Sequence, residues 1–371
     1  MNNTTYYVGM DVHKESFTLC TFKIGDEKAS HTARVAADKL SVLKYCEFLR
    51  SRYGRDIDIV CGYEAGCLGY SLYHQLTDLG VTCVILAPTT MMSQKGKRIK
   101  TDKRDAEVIA QCLAYHMYNP VYIPTEEDDK IKEYIRMRDD HKIALQRIKH
   151  EITSFCLRHG KIYSAGKHWT HAHLRWLREL EIDDIYHDIL AEYLATYEQL
   201  DDKIRRFDTK IAEYASGYRY AENVQKLSCY IGIKTVTALS TIVEIGDFNR
   251  FESAQKFASY IGLVPGEHSS GPDQNRLCIT KAGNSHVRRL LIEAAQSIGR
   301  GRVGYKSAAT RKLQEGLSPE VIAYTDRANE RLRRRYYKMV LSDGKRTNVA
   351  KTAIARELAC FIWGLMTGNI A

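Results

Sequence analysis

Residues 5 to 22, TYYVGMDVHKESFTLCTF, alternate apolar and polar side chains on both sides of a short polar break. That period of two predicts a β-hairpin and places Asp11 at the end of its first strand. SVLKYCEFLRSRYG (41–54) has helical spacing and a glycine stop. DIDIVCGYEAG (56–66) is a β-branched run that ends at Glu64, and SLYHQLTDLG follows as a second helix. VTCVILAP (81–88) is a short buried strand terminated by proline. Beyond a basic loop, TDKRDAEVIAQCLAYH sets Ala106, Val108, Ile109 and Leu113 at helical spacing. A hairpin followed by alternating strands and helices predicts a mixed α/β layer domain over residues 1–125.

From 126 to 219 the pattern becomes long, charged and helical, with Ile131, Ile148, Ile152, Leu190, Leu194, Leu200, Ile204 and Ile211 as apolar seams. A helical hairpin or coiled coil, used as a spacer or for self-association, fits this pattern, and so does an ordinary helical bundle. Residues 220–371 read as almost all α. A glycine-containing turn leads into the helix of TVTALSTIVEI, and SAQKFASYIGLVPG forms a short helix. EHSSGPDQNRLCITKAGN is a polar loop, HVRRLLIEAAQSI a strong helix, and the C-terminal stretch joins a basic helix to an amphipathic one.

The chain has 371 residues, enough for two or three cores, and 55 Lys and Arg against 45 Asp and Glu. The resulting charge of +10 favours a polyanionic partner. Ten cysteines are scattered without a C-x-x-C pair, as expected of reduced, mostly buried thiols in a cytoplasmic protein. His171 and His173 are two apart and face different sides of a helix, which argues against a structural zinc site. No apolar run reaches the roughly 18 residues that a membrane span needs, and MNNTTYY has no signal-peptide pattern.

Asp11 and Glu64 each fall at a strand end, where side chains converge in layered α/β sheets. Asp102 and Asp105, at i and i+3 on a helix start, share one face. Four carboxylates from three elements suit hard divalent cations such as Mg²⁺, and two such ions can clamp a phosphodiester. Each residue also has a plain reading: a turn aspartate after a strand, or helix N-terminal acids favoured by the dipole. Spacing alone leaves both open.

Four stretches carry a resemblance in order and spacing: VGMDVHKE, GYEAGCLGYSLYHQL, KTDKRDAEVIA, and FASYIGLVPGEHSSG…ITKAGNSHVRRLLIEAA. They resemble insertion-sequence transposases of the IS110 type, also described as bridge-RNA-guided serine recombinases. The resemblance implies an N-terminal RuvC-like domain of ribonuclease H fold (1–125) and a coiled-coil connector (126–219). A mostly α C-terminal serine transposase domain (220–371) follows. It implies that Asp11, Glu64, Asp102 and Asp105 bind Mg²⁺. It also implies that a serine in the loop after GLVP attacks DNA to form a covalent phosphoserine intermediate. Ser270 is the best match and Ser269 the neighbouring alternative. His268 is the one candidate base beside them. The expected partners are DNA (element ends and target), a guide RNA and further copies of the chain as a dimer or tetramer, in a prokaryotic cytoplasm beside the nucleoid. Transposases of this type commonly carry a PGIG turn, whose backbone N–H groups can hold a DNA phosphate. This chain has Ile231-Gly232-Ile233-Lys234 there, which leaves a phosphate contact by Lys234 or plain packing as the alternatives.

Lys97, Arg98, Lys281, Arg288, Arg289, Arg333, Arg334 and Arg335 are the expected nucleic-acid contacts. Arg331, Lys338, Tyr336 and Tyr337 extend the last group with charge and stacking surface. Two other functions fit the same residues. One is a metal-dependent nuclease of the Holliday-junction-resolving type without serine chemistry. The other is a non-catalytic nucleic-acid-binding protein whose carboxylates are caps.

Overall fold

The computed structural model describes residues 4–66, 68–91, 101–267 and 276–370. Two compact units divide the chain, Met1–Ile123 and Pro124–Ala371.

The first unit contains β1 (Thr5–Val12), β2 (Ser16–Phe22), β3 (Ser30–Ala36), α1 (Lys39–Tyr53), β4 (Asp58–Glu64), α2 (Ser71–Asp78), β5 (Thr82–Leu86) and α3 (Asp102–Ala114). Its sheet has the order β3-β2-β1-β4-β5. The first three strands are antiparallel, and β1, β4 and β5 run parallel. Val8 and Met10 of β1, with Cys61 and Tyr63 of β4, pack beneath Val42, Tyr45 and Leu49 of α1 and Leu72 and Leu76 of α2. The opposite face carries α3, whose Ile109, Cys112 and Leu113 bury against Leu86. Alternation along each strand thus sorts its residues between two helical layers.

Gly9 lies on the α3 face. A Cβ there would sit 2.1 Å from the Ala106 carbonyl oxygen, so the missing side chain is what lets α3 lie against β1. The edge strand β3 has no counterpart among the sequence-based expectations. Its residues are mostly half-exposed, and an edge strand with one wet face gives little apolar alternation to read.

Among its described residues the second unit is helical apart from one strand pair. It comprises α4 (Glu126–Arg158), α5 (His171–Arg178), α6 (Asp184–Ala215), α7 (Ala221–Ser228), α8 (Thr235–Ile245), α9 (Ala254–Tyr260), β6 (Pro265–Glu267), β7 (Arg276–Ile279), α10 (Ser285–Ile298), α11 (Ala308–Gln314), α12 (Pro319–Tyr337) and α13 (Thr347–Thr367). α4 and α6 lie antiparallel: Tyr134 meets Tyr214 and Phe207 near one end, and Phe155 meets Tyr193 and Tyr186 near the other. Leu145, Ile152 and Phe155 pack there with Leu190, Leu194, Tyr197 and Ile204. The same two helices then supply Ile131, Ile135, Ile211 and Ala215 to the large C-terminal core. The helical pair is therefore continuous with that core.

Within the stretch read as a polar loop, β7 pairs antiparallel with β6. Strands of three and four residues are too short for periodicity to declare. In the turn Ile231-Gly232-Ile233-Lys234, packing accounts for the glycine. At φ 91° its Cα lies so close to α10 that a Cβ would meet the Ala294 carbonyl at 2.2 Å. Asn329 holds the same turn, accepting from Ile231 N at 2.9 Å and donating to the Cys229 carbonyl at 2.9 Å.

Candidate active site

β1 and β4 are parallel neighbours whose last paired residues are Met10 and Tyr63. Asp11 and Glu64 follow one step on, at the C-terminal strand ends, and by parity share the α3 face with Gly9 and Gly62. α3 begins at Asp102, with Asp105 also in its first turn. The close approach at Gly9 therefore brings the start of this helix to the end of β1. His13, two residues beyond Asp11, shares its face. Its Nε2 lies 3.1 Å from Asp11 Oδ2 and 4.0 Å from Asp102 Oδ1. Ligand atoms of Asp11, His13 and Asp102 all fall within 4.8 Å of one another.

Partial burial raises the Asp11 carboxyl above its ordinary value. His13 draws it down, while Asp102 and Asp105 push it further up. Three of the four expected acids are thus electrostatic neighbours. Glu64 stands at the adjacent strand end and is exposed, and neither it nor Asp105 belongs to the 4.8 Å group. His13 was not among the residues expected at this site, although its spacing from Asp11 on a strand was the available signal.

Ser269, Ser270 and His268 lie outside the described residues, as do Lys97 and Arg98. In sequence, 268–275 joins β6 to β7. The far end of β7 is fastened firmly. Thr280 N donates to the Val264 carbonyl at 2.9 Å, and Asn284 Oδ1 caps α10 through Val287 N at 3.0 Å. Arg288 donates to the Ala282 and Ile261 carbonyls at 2.8 and 3.0 Å, and Arg289 reaches Asp139 and Glu293. Both guanidiniums are engaged in holding this region together. Lys281 is exposed and has a left-handed φ of 54°.

The basic helix α12 separates its arginines by face. Arg333 is buried. Its guanidinium donates to the carbonyls of Ile298, Arg300, Arg302 and Tyr305, so its geometry is that of a structural clamp. This corrects the expectation of a phosphate contact at that position, because a buried guanidinium spent on four carbonyls has little left to offer. Arg327, Arg331, Arg334, Arg335 and Lys338 line the opposite face with Glu330, in an open groove of about 470 Å³. Arg331 and Arg335 share Glu357, and Arg334 pairs with Glu330. Five cations less two carboxylates leave a surplus of three positive charges along three helical turns.

A mixed sheet with acids at its central strand ends, joined to a mostly helical remainder, is the layout of a DEDD nuclease-like domain in a DNA-acting enzyme. The comparisons with known proteins agree. The family profile described as "Transposase" and designated DEDD_Tnp_IS110 matches residues 8–159. The one described as "Transposase IS116/IS110/IS902 family" matches 224–309. Transposase y4qE of Sinorhizobium fredii is 32% identical over 361 residues, covering 97% of this chain and 88% of the relative. The transposase for insertion sequence element IS1533 of Leptospira borgpetersenii is 29% identical, covering 89% and 95%. That for IS1111A of Coxiella burnetii is 24% identical, covering 78% and 77%. The chain belongs to the IS110 family of transposases. It is an enzyme of DNA transposition, and DNA is its substrate. Among the described residues no helix is long and apolar enough to cross a membrane.

Proposed function

We propose that this transposase cuts and rejoins DNA with a cation-binding acidic quartet, Asp11, Glu64, Asp102 and Asp105, and a serine nucleophile, Ser270. The observation that carries this reading is the approach of α3 to β1, which brings Asp102 within 4.8 Å of Asp11, with Asp105 in the same helical turn and Glu64 at the adjacent strand end. Carboxylates that repel one another at a strand end fit a divalent cation, and an all-oxygen set of this kind fits Mg²⁺. When bound, Mg²⁺ supplies positive charge against the phosphate oxygens while the bonds at phosphorus change. The strand order β3-β2-β1-β4-β5 supports a RuvC-like, ribonuclease H type reading of the domain.

In the chemical step the Ser270 oxygen forms a bond to phosphorus and the bond from phosphorus to a deoxyribose oxygen breaks. The serine proton passes to solvent or a nearby base, and the departing oxygen leaves as a hydroxyl. One phosphodiester replaces another, so rejoining needs no outside energy source. Residues 126–219 act as connector between the acidic domain (1–125) and the serine domain (220–371). The enzyme works as a homo-oligomer, with a structured RNA choosing the target. The outward face of α12 and Lys281 hold phosphates, as do Lys97 and Arg98. Such contacts give salt-dependent affinity without sequence choice.

The test is recombination of a plasmid carrying the element ends, with trapping of covalent protein–DNA adducts. Ser270→Ala abolishes adduct and product, while Ser269→Ala has a milder effect on both. Recombination that survives Ser270→Ala but not Asp105→Asn would remove the serine step and leave a metal-dependent nuclease. Full activity in all four carboxylate variants would remove the cation site.

A further inference from the structure

His13 brings a nitrogen ligand atom to the group it forms with Asp11 and Asp102. It follows β1 directly, and its backbone N–H donates to the Ser16 carbonyl at 3.2 Å, which fixes the turn into β2. Its ring therefore stands over the same face as Asp11 with little freedom of the main chain. Nε2 lies 3.1 Å from Asp11 Oδ2 and 4.0 Å from Asp102 Oδ1. In an octahedral ion with bonds of about 2.1 Å, neighbouring ligands stand about 3 Å apart and opposite ligands about 4.2 Å. The two separations are of the size that ligands of one ion show, and all three ligand atoms lie within 4.8 Å of one another. The His13 side chain is 55% exposed and that of Asp102 52%, so an ion can enter from solvent. At 3.1 Å the Nε2–Oδ2 pair is a hydrogen bond, and a contact this open adds little to folding, so both atoms can turn to an ion that enters.

Resting on the reading of this site as a divalent-cation centre, we propose that His13 is a ligand through Nε2 and makes the site prefer Mn²⁺ over Mg²⁺. Carboxylate oxygens serve both ions, whereas imidazole nitrogen favours the transition metal over hard Mg²⁺. A three-donor group of two carboxylates and one imidazole is thereby more selective than the four acids alone.

The experiment uses the full-length protein without nucleic acid. Mn²⁺ binding is followed by the loss of its free-ion paramagnetic resonance signal, and Mg²⁺ by competition. Spin-echo modulation of the bound Mn²⁺ reports a directly coordinated nitrogen. The proposal expects nitrogen modulation in the native protein and its loss in His13→Ala, with Mn²⁺ affinity down about tenfold and Mg²⁺ affinity changed less than about twofold. His13→Asp, which restores a ligand as an oxygen, should retain Mg²⁺ and shrink the preference for Mn²⁺. Native protein lacking the nitrogen signal, or an Mn²⁺ to Mg²⁺ preference that is the same in all three proteins, overturns the proposal. Asp11→Asn separates the two levels. If it abolishes binding while His13→Ala changes nothing, the cation centre stands without His13. If it too binds normally, the centre itself is lost.

Discussion

The Arg136 guanidinium lies along the Glu244 carboxylate, Nε to Oε1 at 2.9 Å and Nη2 to Oε2 at 3.2 Å, tying α4 to α8. The Glu244 side chain is only 3% exposed and also accepts from Asn284 Nδ2 at 2.9 Å, so one carboxylate links the long helical pair to the cap of α10. Glu244→Ala should cost about 2–3 kcal/mol, because it strands a buried cap amide as well as breaking the pair. Arg136→Ala, at the more exposed partner, should cost less. Denaturant unfolding of both variants checks the order.

Beside this pair, Ser240 Oγ and His286 Nε2 are 2.9 Å apart, and His286 faces Asp139, Glu244, Arg289 and Arg136. Burial holds the His286 pKa below its ordinary value, with Glu244 opposing and Arg289 assisting. Burial also works to raise Asp139 and Glu244, but their arginine partners win and both are depressed. For each group the unfolded chain takes up protons first as pH falls, so stability is present at neutral pH and declines with acid. His286 acts just below the ordinary histidine value, and the two carboxylates act below the ordinary carboxylate range. Melting temperature should therefore begin to fall below about pH 6.5, and His286→Gln should reduce that first stage only, buried His173, also held below its ordinary value by burial, supplying the rest. A flat wild-type profile between neutral pH and the carboxylate range would contradict the assignment.

On α12 the two faces predict opposite phenotypes. Arg334→Gln with Lys338→Gln should weaken binding to a fluorescent random-sequence duplex and lower the log–log salt slope by about 1.8, two phosphate contacts at about 0.9 each. Their melting temperature should stay within a degree or so of wild type. Arg333→Gln should instead lower the melting temperature by several degrees, since it leaves carbonyls without donors. A salt slope that shifts only with Arg333 would reverse the assignment of faces.

Gly9→Ala would force the Ala106 carbonyl away from β1. The expected cost is about 1–3 kcal/mol from overpacking, with a larger effect on DNA cleavage because Asp102 and Asp105 move with α3. Cleavage assayed at a temperature where the variant remains folded separates the two effects.

Period-two and helical spacing, with glycine and proline stops, made most of the elements legible, along with the strand-end positions of Asp11 and Glu64 and the helix-start positions of Asp102 and Asp105. These are local properties, set by backbone geometry within a few residues. Four things were decided only in three dimensions. α3 crosses the sheet at Gly9, which a glycine in a strand does not announce. His13 meets Asp102 across 89 residues of sequence. The edge strand β3 and the pair β6–β7 form because partners exist for them. And Arg333 turns inward while Arg334 and Arg335 stay in solvent, although the three are adjacent in sequence. Charge alone could not sort those arginines, because which face of a helix is buried depends on what packs against it, and that is a property of the whole fold.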